Sequence, residues 1–460
     1  MAKYQKYAEY KDSGVEWLGD IPKHWQTVSL KMLIDVRDGT HDTPPYVEPN
    51  FNTYPLVTSK DVTGGRVDLS NCKHISELDY SNIIKRSGVS KGDILMPMIG
   101  TVGSPVLVED KFEIAIKNLA LFKTSIGNEK LDSKFLFYFL NSTECETQFS
   151  LEGKGGVQNF VSLGTLRNLV LPLTKTSEQI KIANFLDHET TKIDHLIEKQ
   201  QKLIELLKEK RQAVISHAVT KGLKPNVKMK DSGMEWLGEV PEHWEIIKFD
   251  YVINSVGDID HYMPNSVDSG IPYVMTGDLQ DLVSKIDFES CKQVAYSDYI
   301  KLSRKIKTSK DDIILARYAT IGTISYVDID AEFLVSYSCV TIKPNIKRTS
   351  GRYLFCYLKS QAFLQAIKMH INSNTQGNVG VDSLRNVKIV VPPLSEQNEI
   401  IHFLNEEVVK VDKLINKAES AISLMQERRT ALISAAVTGK IDVRHWQAPT
   451  LAEAHTELNA

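Results

Sequence analysis

The usual signatures of catalysis are missing from this 460-residue chain. No P-loop GxxxxGK[ST] occurs: Gly153-Lys154-Gly155 and Gly439-Lys440 fail the pattern, and there is neither an HExxH nor a GxSxG elbow. Five cysteines (Cys72, Cys145, Cys291, Cys339, Cys356) are scattered with no CxxC pair. That excludes a zinc signature and a disulfide framework, and predicts buried, reduced thiols. No apolar run approaches the ~18 residues of a membrane span. Residues 1–10 are polar and lack the apolar stretch of a signal peptide. Both absences point to the cytoplasm. The net charge of -3 carries no global excess of positive charge, although a nucleic-acid footprint requires only a local patch.

What is present is a globular composition, 42% hydrophobic and 25% charged, on a chain long enough for two or three domains. The chain also repeats itself. KDSGVEWLGDIPKHW (11–25) returns as KDSGMEWLGEVPEHW (230–244), and every mismatch except Lys23/Glu242 is conservative. SEQIKIANFLDHETTKIDHLIEKQQKLIELLKEKRQAVISHAVT (177–220) answers SEQNEIIHFLNEEVVKVDKLINKAESAISLMQERRTALISAAVT (395–438). Just ahead of these segments, Leu166-Arg167-Asn168 matches Leu384-Arg385-Asn386. Between the shared segments, residues 26–176 and 245–394 differ nearly everywhere. Weak echoes persist in order, such as Lys91-Gly92-Asp93-Ile94-Leu95 and Lys310-Asp311-Asp312-Ile313-Ile314. Two modules of one fold with different surfaces are expected.

The shared segments 177–222 and 395–440 read as long amphipathic helices, each a rod of roughly 65 Å. In the first, Ile182, Leu186, Glu189, Ile193, Leu196, Gln200, Leu203 and Leu207 follow a 4,3 spacing, and Ile197, Ile204, Ile215 and Val219 form a second apolar line. Ser177 and Ser395 are natural N-caps, followed by Glu in the first turn, while Gly222 and Gly439 supply the stops. Helices of equal length and matching stripe most simply pair with each other, antiparallel. The modules, within 1–176 and 223–394, read as mixed α/β, with short strands between Gly, Pro and Asp turns. Strands are expected at 92–98, 101–108, 313–318, 321–327 and 333–342. One helix is expected in each module, at 133–149 and 352–370, its aromatics (Phe135, Tyr138, Phe139; Tyr353, Phe355, Tyr357) serving as core. Residues 441–460 read as a polar tail.

The two tryptophan-containing segments and the two SEQ-initiated helices, in this order, resemble the specificity subunit of type I restriction-modification systems. The resemblance covers the whole chain and rests on four separate segments. Asp38-Gly39-Thr40-His41-Asp42-Thr43-Pro44 and Val57-Thr58-Ser59-Lys60-Asp61 are also similar to one class of target recognition domain. This resemblance implies a non-catalytic DNA reader. Each module would recognise one half of a split, asymmetric target in double-stranded DNA, and the paired helices would space the halves. Two methyltransferase subunits would dock on the frame, and two restriction/translocase subunits could join. S-adenosylmethionine, ATP and magnesium would then belong to those partners, with no cofactor on this chain.

Phosphate contacts need Lys, Arg and backbone donors, and base reading needs polar side chains on protruding loops. The basic runs Lys85-Arg86 and Arg304-Lys305-Ile306-Lys307 recur at equivalent places, although a charge run is commonly just a solvated face. Lys60 and Arg317 add cations beside them. The loop from Arg37 through Thr40 and His41 to Tyr46 matches the loop carrying His261 and Tyr262. Lys154, Gln158 and Asn159 match Asn374, Gln376 and Asn378, where Gly would let the backbone approach and Asn or Gln would grip adenine. The Trp17/Trp25 and Trp236/Trp244 segments, being shared, belong to the frame. Thr43-Pro44-Pro45-Tyr46 resembles an amino-methyltransferase loop, but Thr is a poor acceptor there, and a surface turn is the better reading. A stand-alone methyltransferase and a protein-binding coiled-coil scaffold are the rival readings.

Overall fold

A computed structural model describes residues 4–63, 65–99, 103–125, 129–152, 160–318, 320–369, 371–372 and 377–448. The chain divides into two compact units, one of residues 1–201 and 419–460, the other of residues 202–418. Each unit therefore holds one module and half of each long helix.

In unit one a short hairpin, Tyr10–Asp12 with Asp20–Pro22, leads into strand Gln26–Ser29. That strand pairs antiparallel with Val170–Leu173, the last strand before the first long helix, and so clasps the two ends of the module together. Between them lies an antiparallel four-stranded sheet in the order Val106–Leu107, Ile94–Pro97, Leu119–Lys123, Asp35–Asp38. A three-stranded sheet places Thr53–Val57 between Ala115–Ile116, parallel to it, and Lys73–Ser76. Unit two repeats every step. Glu245–Lys248 clasps Lys388–Val391. The four-stranded sheet runs Ile324–Tyr326, Ile313–Ala316, Cys339–Pro344, Ile253–Gly257, and the smaller sheet sets Ile271–Val274 between Leu334–Val335 and Lys292–Val294. One fold in two divergent modules is what the weak echoes implied. An ion pair recurs as well, Lys123 with Asp93 at 2.5 Å, fully buried, and Lys343 with Asp312 at 2.6 Å, where the lysine is half-buried.

Local chemistry corrects several expectations. Each expected module helix is two: Ser133–Leu140 and Thr143–Glu152 in one, Gly351–Leu358 and Gln361–Lys368 in the other. Polar residues at the junctions break them, with Ser360 capping its helix through Phe363 N. Phe135, Tyr138, Phe139, Tyr353 and Tyr357 are buried as expected, and Phe355 is partly buried. The run 333–342 holds two strands instead of one, because it crosses from the small sheet to the large. Cys145, Cys291 and Cys339 are buried, whereas Cys72 and Cys356 are half-buried, and all five are unpaired.

The long helices span Thr176–Lys221 (46 residues) and Leu394–Val437 (44 residues). Ser177 and Ser395 lie inside their first turns and are not N-caps. The residue after the Glu explains the difference. Buried Gln179 donates to Thr174 O and Lys130 O, both at 2.7 Å, while Gln397 donates to Pro392 O at 2.9 Å and Arg348 O at 3.0 Å. These amides tie the helix starts to the modules, a need that outranks capping. The Glu also does more than face the helix dipole. Glu178 accepts from Trp25 Nε1 (3.3 Å) and Tyr7 OH (2.7 Å), with His24 at 2.9 Å; Glu396 accepts from Trp244 Nε1 (2.7 Å), with His243 at 2.8 Å. The repeated His-Trp and Ser-Glu-Gln motifs are thus two sides of one contact. Gly222 and Gly439 end the helices at φ +78 and +72, as left-handed stops should.

In unit one, Asp194 on the first half of the first helix meets Arg429 on the second half of the second, at 2.8 Å. In unit two, Arg211 meets Asp412 at 3.2 Å, again joining a later half to an earlier one. The helices therefore run antiparallel in each unit. Of the first apolar line, Ile182, Leu186, Ile193 and Leu207 are buried as expected, but Leu196 and Leu203 are 48% and 43% exposed, while Ile204 of the second line is 8% exposed. Over residues 196–204 the packed face is therefore the second line, Ile197 and Ile204. No helix among the described residues is long and apolar enough to cross a membrane.

Candidate nucleic-acid interface

Antiparallel register decides where the variable loops emerge. In module one, Ala120 faces both Asp38 and Met96, and Val106 faces Leu95. Strand Asp35–Asp38 therefore ends, Ile94–Pro97 ends, and Leu119–Lys123 and Val106–Leu107 begin at a single end of the sheet. The loop starting at residue 39, residues 117–118 and the loop after Met98 all leave from there. Chain emerging from the stretch 153–159 returns to the same end, where Val161 N donates to Met98 O at 3.0 Å. Module two repeats the arrangement, with Ala316 facing Cys339, Leu315 facing Ile324, and Val379 N donating to Arg317 O at 3.2 Å.

At this end each module carries a partly or fully buried aspartate that gathers the expected basic residues. Asp38 accepts from Arg86 and lies 2.9 Å from His41 Nε2, and the other ring nitrogen of His41 is 3.0 Å from Asn118 Oδ1. Arg37 donates to Arg86 O at 3.1 Å. Gly39 has to be glycine, because a Cβ would collide with Ile116 O. Asn118 takes φ +55, a left-handed conformation that Asn tolerates better than most residues. In module two Asp258 accepts from Arg317 and from Lys305 at 3.1 Å, and lies 3.1 Å from His261. His261 stacks on Tyr337 with ring centroids 5.1 Å apart. Burial alone would raise both carboxyls. Hydrogen bonds from His41 and Arg86, and from His261 and Lys305, outweigh it and hold them below the usual carboxylate range.

The remaining expected residues divide between this sheet end and its flanks. Thr40 sits in the loop, its N–H donating to Ile116 O at 2.9 Å. Lys60 is exposed at the carboxyl end of Thr53–Val57. Lys85 and Arg86 occupy the last turn of helix Glu77–Ser87, while Arg304, Lys305 and Lys307 follow the equivalent helix Tyr296–Leu302. Tyr262 is 44% exposed, with Lys301 Nζ over its ring at 5.2 Å. Asn378 begins a short strand pair with 371–372. Arg317 is only 7% exposed and its guanidinium is held by Asp258, so it organises the loop from beneath it. Lys154, Gln158, Asn159, Asn374 and Gln376 lie outside the described residues. Choosing site residues by type left out Asp38 and Asp258, because acids repel phosphate, and Asn118, which lies outside the loops named from the sequence; the Asp-x-x-His spacing common to both loops was the available signal for the aspartates. The matching Arg167 and Arg385 have a structural role, donating to Val36 O (3.0 Å) and Val256 O (3.4 Å) behind these loops. Among the described residues no group of His, Cys, Asp and Glu could hold a metal ion.

Known proteins share the family and the fold. Residues 22–207 and 241–422 match the model for the type I restriction modification DNA specificity domain. The putative type I restriction enzyme MjaX specificity subunit of Methanocaldococcus jannaschii is 23% identical over 93% of this chain and 96% of its own length. The type I restriction enzyme EcoBI specificity subunit of Escherichia coli is 20% identical over 96% of this chain and 91% of its own. A chain from a solved structure describing complex assembly and conformational transition of the type I R-M system superposes with a TM-score of 0.64. It is 16% identical and covers 92% of this chain and 99% of that one.

Proposed function

The chain belongs to the type I restriction modification DNA specificity family, and from that premise we propose that its two modules read the two halves of a bipartite, asymmetric DNA site. It is a specificity subunit, which recognises DNA sequence and leaves catalysis to the other subunits of its complex. The observation that carries the finer reading is the pair of equivalent sheet ends. The same four loop positions recur on one fold, with different residues at nearly every exposed position. Thr40, His41, Lys60, Lys85 and Arg86 would meet DNA from module one, joined by Lys154, Gln158 and Asn159. His261, Tyr262, Arg304, Lys305, Lys307, Asn374, Gln376 and Asn378 would do so from module two. Arg37 and Arg317 support these loops. Cations on the helix flanks suit phosphates, and polar side chains on the loops suit base edges.

The antiparallel helices act as the spacer that sets the unread gap. The shared frame recruits two methyltransferase subunits, and two restriction/translocase subunits join them. S-adenosylmethionine, ATP and magnesium are carried by those partners, in keeping with the absence of the corresponding motifs here. Tethering two modest readers makes the second binding event intramolecular, so their selectivities multiply. The test is to map methylated positions in DNA exposed to the complex with methyltransferase subunits. A motif of two unlike half-sites around an unspecified gap is expected; a single contiguous motif would overturn the reading.

A further inference from the structure

In unit two the helix pair is joined to the reading module by a charge cluster. Arg211, on the later half of the first long helix, donates from Nη2 to Asp281 at 3.0 Å and holds Nε 3.2 Å from Asp412 of the second. Asp281 precedes the short turn Val283–Lys285, and its other oxygen accepts from Lys359 at 2.6 Å. Lys359 ends helix Gly351–Leu358, and its carbonyl accepts from Gln212, the neighbour of Arg211, at 2.6 Å. Burial would raise the Asp281 carboxyl, but Lys359 and Arg211 outweigh that and hold it below the usual carboxylate range.

From Asp281 the connection runs straight into the sheet. Its carbonyl accepts from Tyr326 N at 3.0 Å, Leu282 bridges Tyr326, and Ser325 donates to Gln280 O. Strand Ile324–Tyr326 starts at the candidate-interface end of the sheet, where Ile324 faces Leu315. One carboxylate thus stands between the spacer helices and the strand that carries a reading loop. Among the described residues, unit one shows no such third corner. There Arg429, the repeat counterpart of Arg211, gives both its hydrogen bonds to Asp194 and, among the described residues, none to a carboxylate of its module.

We infer that the Arg211–Asp281 pair is a positioning joint that fixes the reading face of module two against the spacer helices, and so sets how strictly the unread gap length is enforced. The inference rests on the proposed bipartite reading. Each base pair added to the gap moves a half-site by ~3.4 Å and turns it by about 35°. A module free to swivel on its helix follows such a change, and a clamped one does not. The joint touches no base, so it governs gap length and leaves the half-site sequences alone.

The complex with its methyltransferase subunits is tested on DNA carrying both mapped half-sites at the native gap and at one base pair more or fewer. Methylation at each gap is read by sequencing. In the Asp281→Asn complex, off-length methylation relative to native is expected to rise about fivefold, the equivalent of one well-placed ion pair. Half-site sequences stay unchanged, and Asp281→Glu restores strictness. Asp194→Asn, which cuts a helix–helix pair without touching a module, leaves strictness as it was. Gap selection in Asp281→Asn equal to that of the unsubstituted complex overturns the inference, as does an equal loosening by Asp194→Asn. Should Asp281→Asn be inactive at every gap, Lys359→Gln is read the same way, and unchanged strictness there overturns it. If the unsubstituted complex methylates no bipartite site, it is the bipartite reading that fails.

Discussion

Arg429 holds Asp194 through two hydrogen bonds, from Nε at 2.8 Å and Nη2 at 3.3 Å. Arg211 and Asp412 are the same two positions of the repeat, and they too form an ion pair, at 3.2 Å. A contact encoded once per repeat is therefore made once in each unit, always between an early half of one helix and a late half of the other. Antiparallel pairing is the only arrangement of two such repeats that satisfies both pairs.

Because Asp194 and Arg429 are partly exposed, with side chains 48% and 33% accessible, solvent screening limits what the pair contributes. Asp194→Arg or Arg429→Asp alone is expected to lower stability by about 0.5–1 kcal/mol, and the double swap to recover most of it. Urea unfolding of the three variants measures this. Additive losses would contradict the contact.

Glu178 is a stronger anchor. Burial alone would raise its carboxyl, but hydrogen bonds from Thr174, Tyr7 and His24 outweigh burial and hold it below the usual value. A depressed folded value means that its stabilisation is present above the unfolded value, about 4.3, and is lost as pH falls through the folded one. Unit one should therefore loosen below about pH 4.3. Glu178→Gln should cost about 1–3 kcal/mol at neutral pH and flatten that acid dependence. Thermal unfolding against pH tests both effects.

Gly39 lies against the Ile116 carbonyl with no room for a Cβ. Gly39→Ala is expected to displace the Asp38–His41 turn and abolish reading of the half-site assigned to module one, while module two keeps its own. Methylation mapping would show one half-site relaxed and the other intact.

Lys60 is exposed beside the module-one loop, whereas Arg317 is buried beneath the module-two loop. Lys60→Gln should weaken DNA binding uniformly across sequences and reduce the slope of log affinity against log salt by about 1. Arg317→Gln should instead unseat His261 and relax only the second half-site. Salt titrations of binding to specific and random duplexes separate the two outcomes.

The repeat made the frame legible, because shared residues turn out to touch shared residues at the same place in both units: Trp25 and Glu178, Trp244 and Glu396. The helix seam was legible only in part. Leu and Ile fill adjacent lines, so spacing alone could not tell Leu196 and Leu203 from Ile197 and Ile204, and three-dimensional packing chose the latter. Of the candidate interface, the loops and basic residues could be named from the sequence. The interface was illegible as an arrangement, because Asp38 and Asp258 reveal their role only once a sheet brings Arg86, or Lys305 and Arg317, to them across long stretches of chain. Arg211 and Asp281 were hidden for the same reason.

The most direct measurement of the division between frame and reader is made on a chain in which residues 26–176 are replaced by a second copy of 245–394. Its methylated sites are mapped in complex with methyltransferase subunits. Identical readers on antiparallel helices should specify an inverted repeat of a single half-site, with the unread gap retained. An asymmetric motif that still contains the half-site of the deleted module would contradict the account.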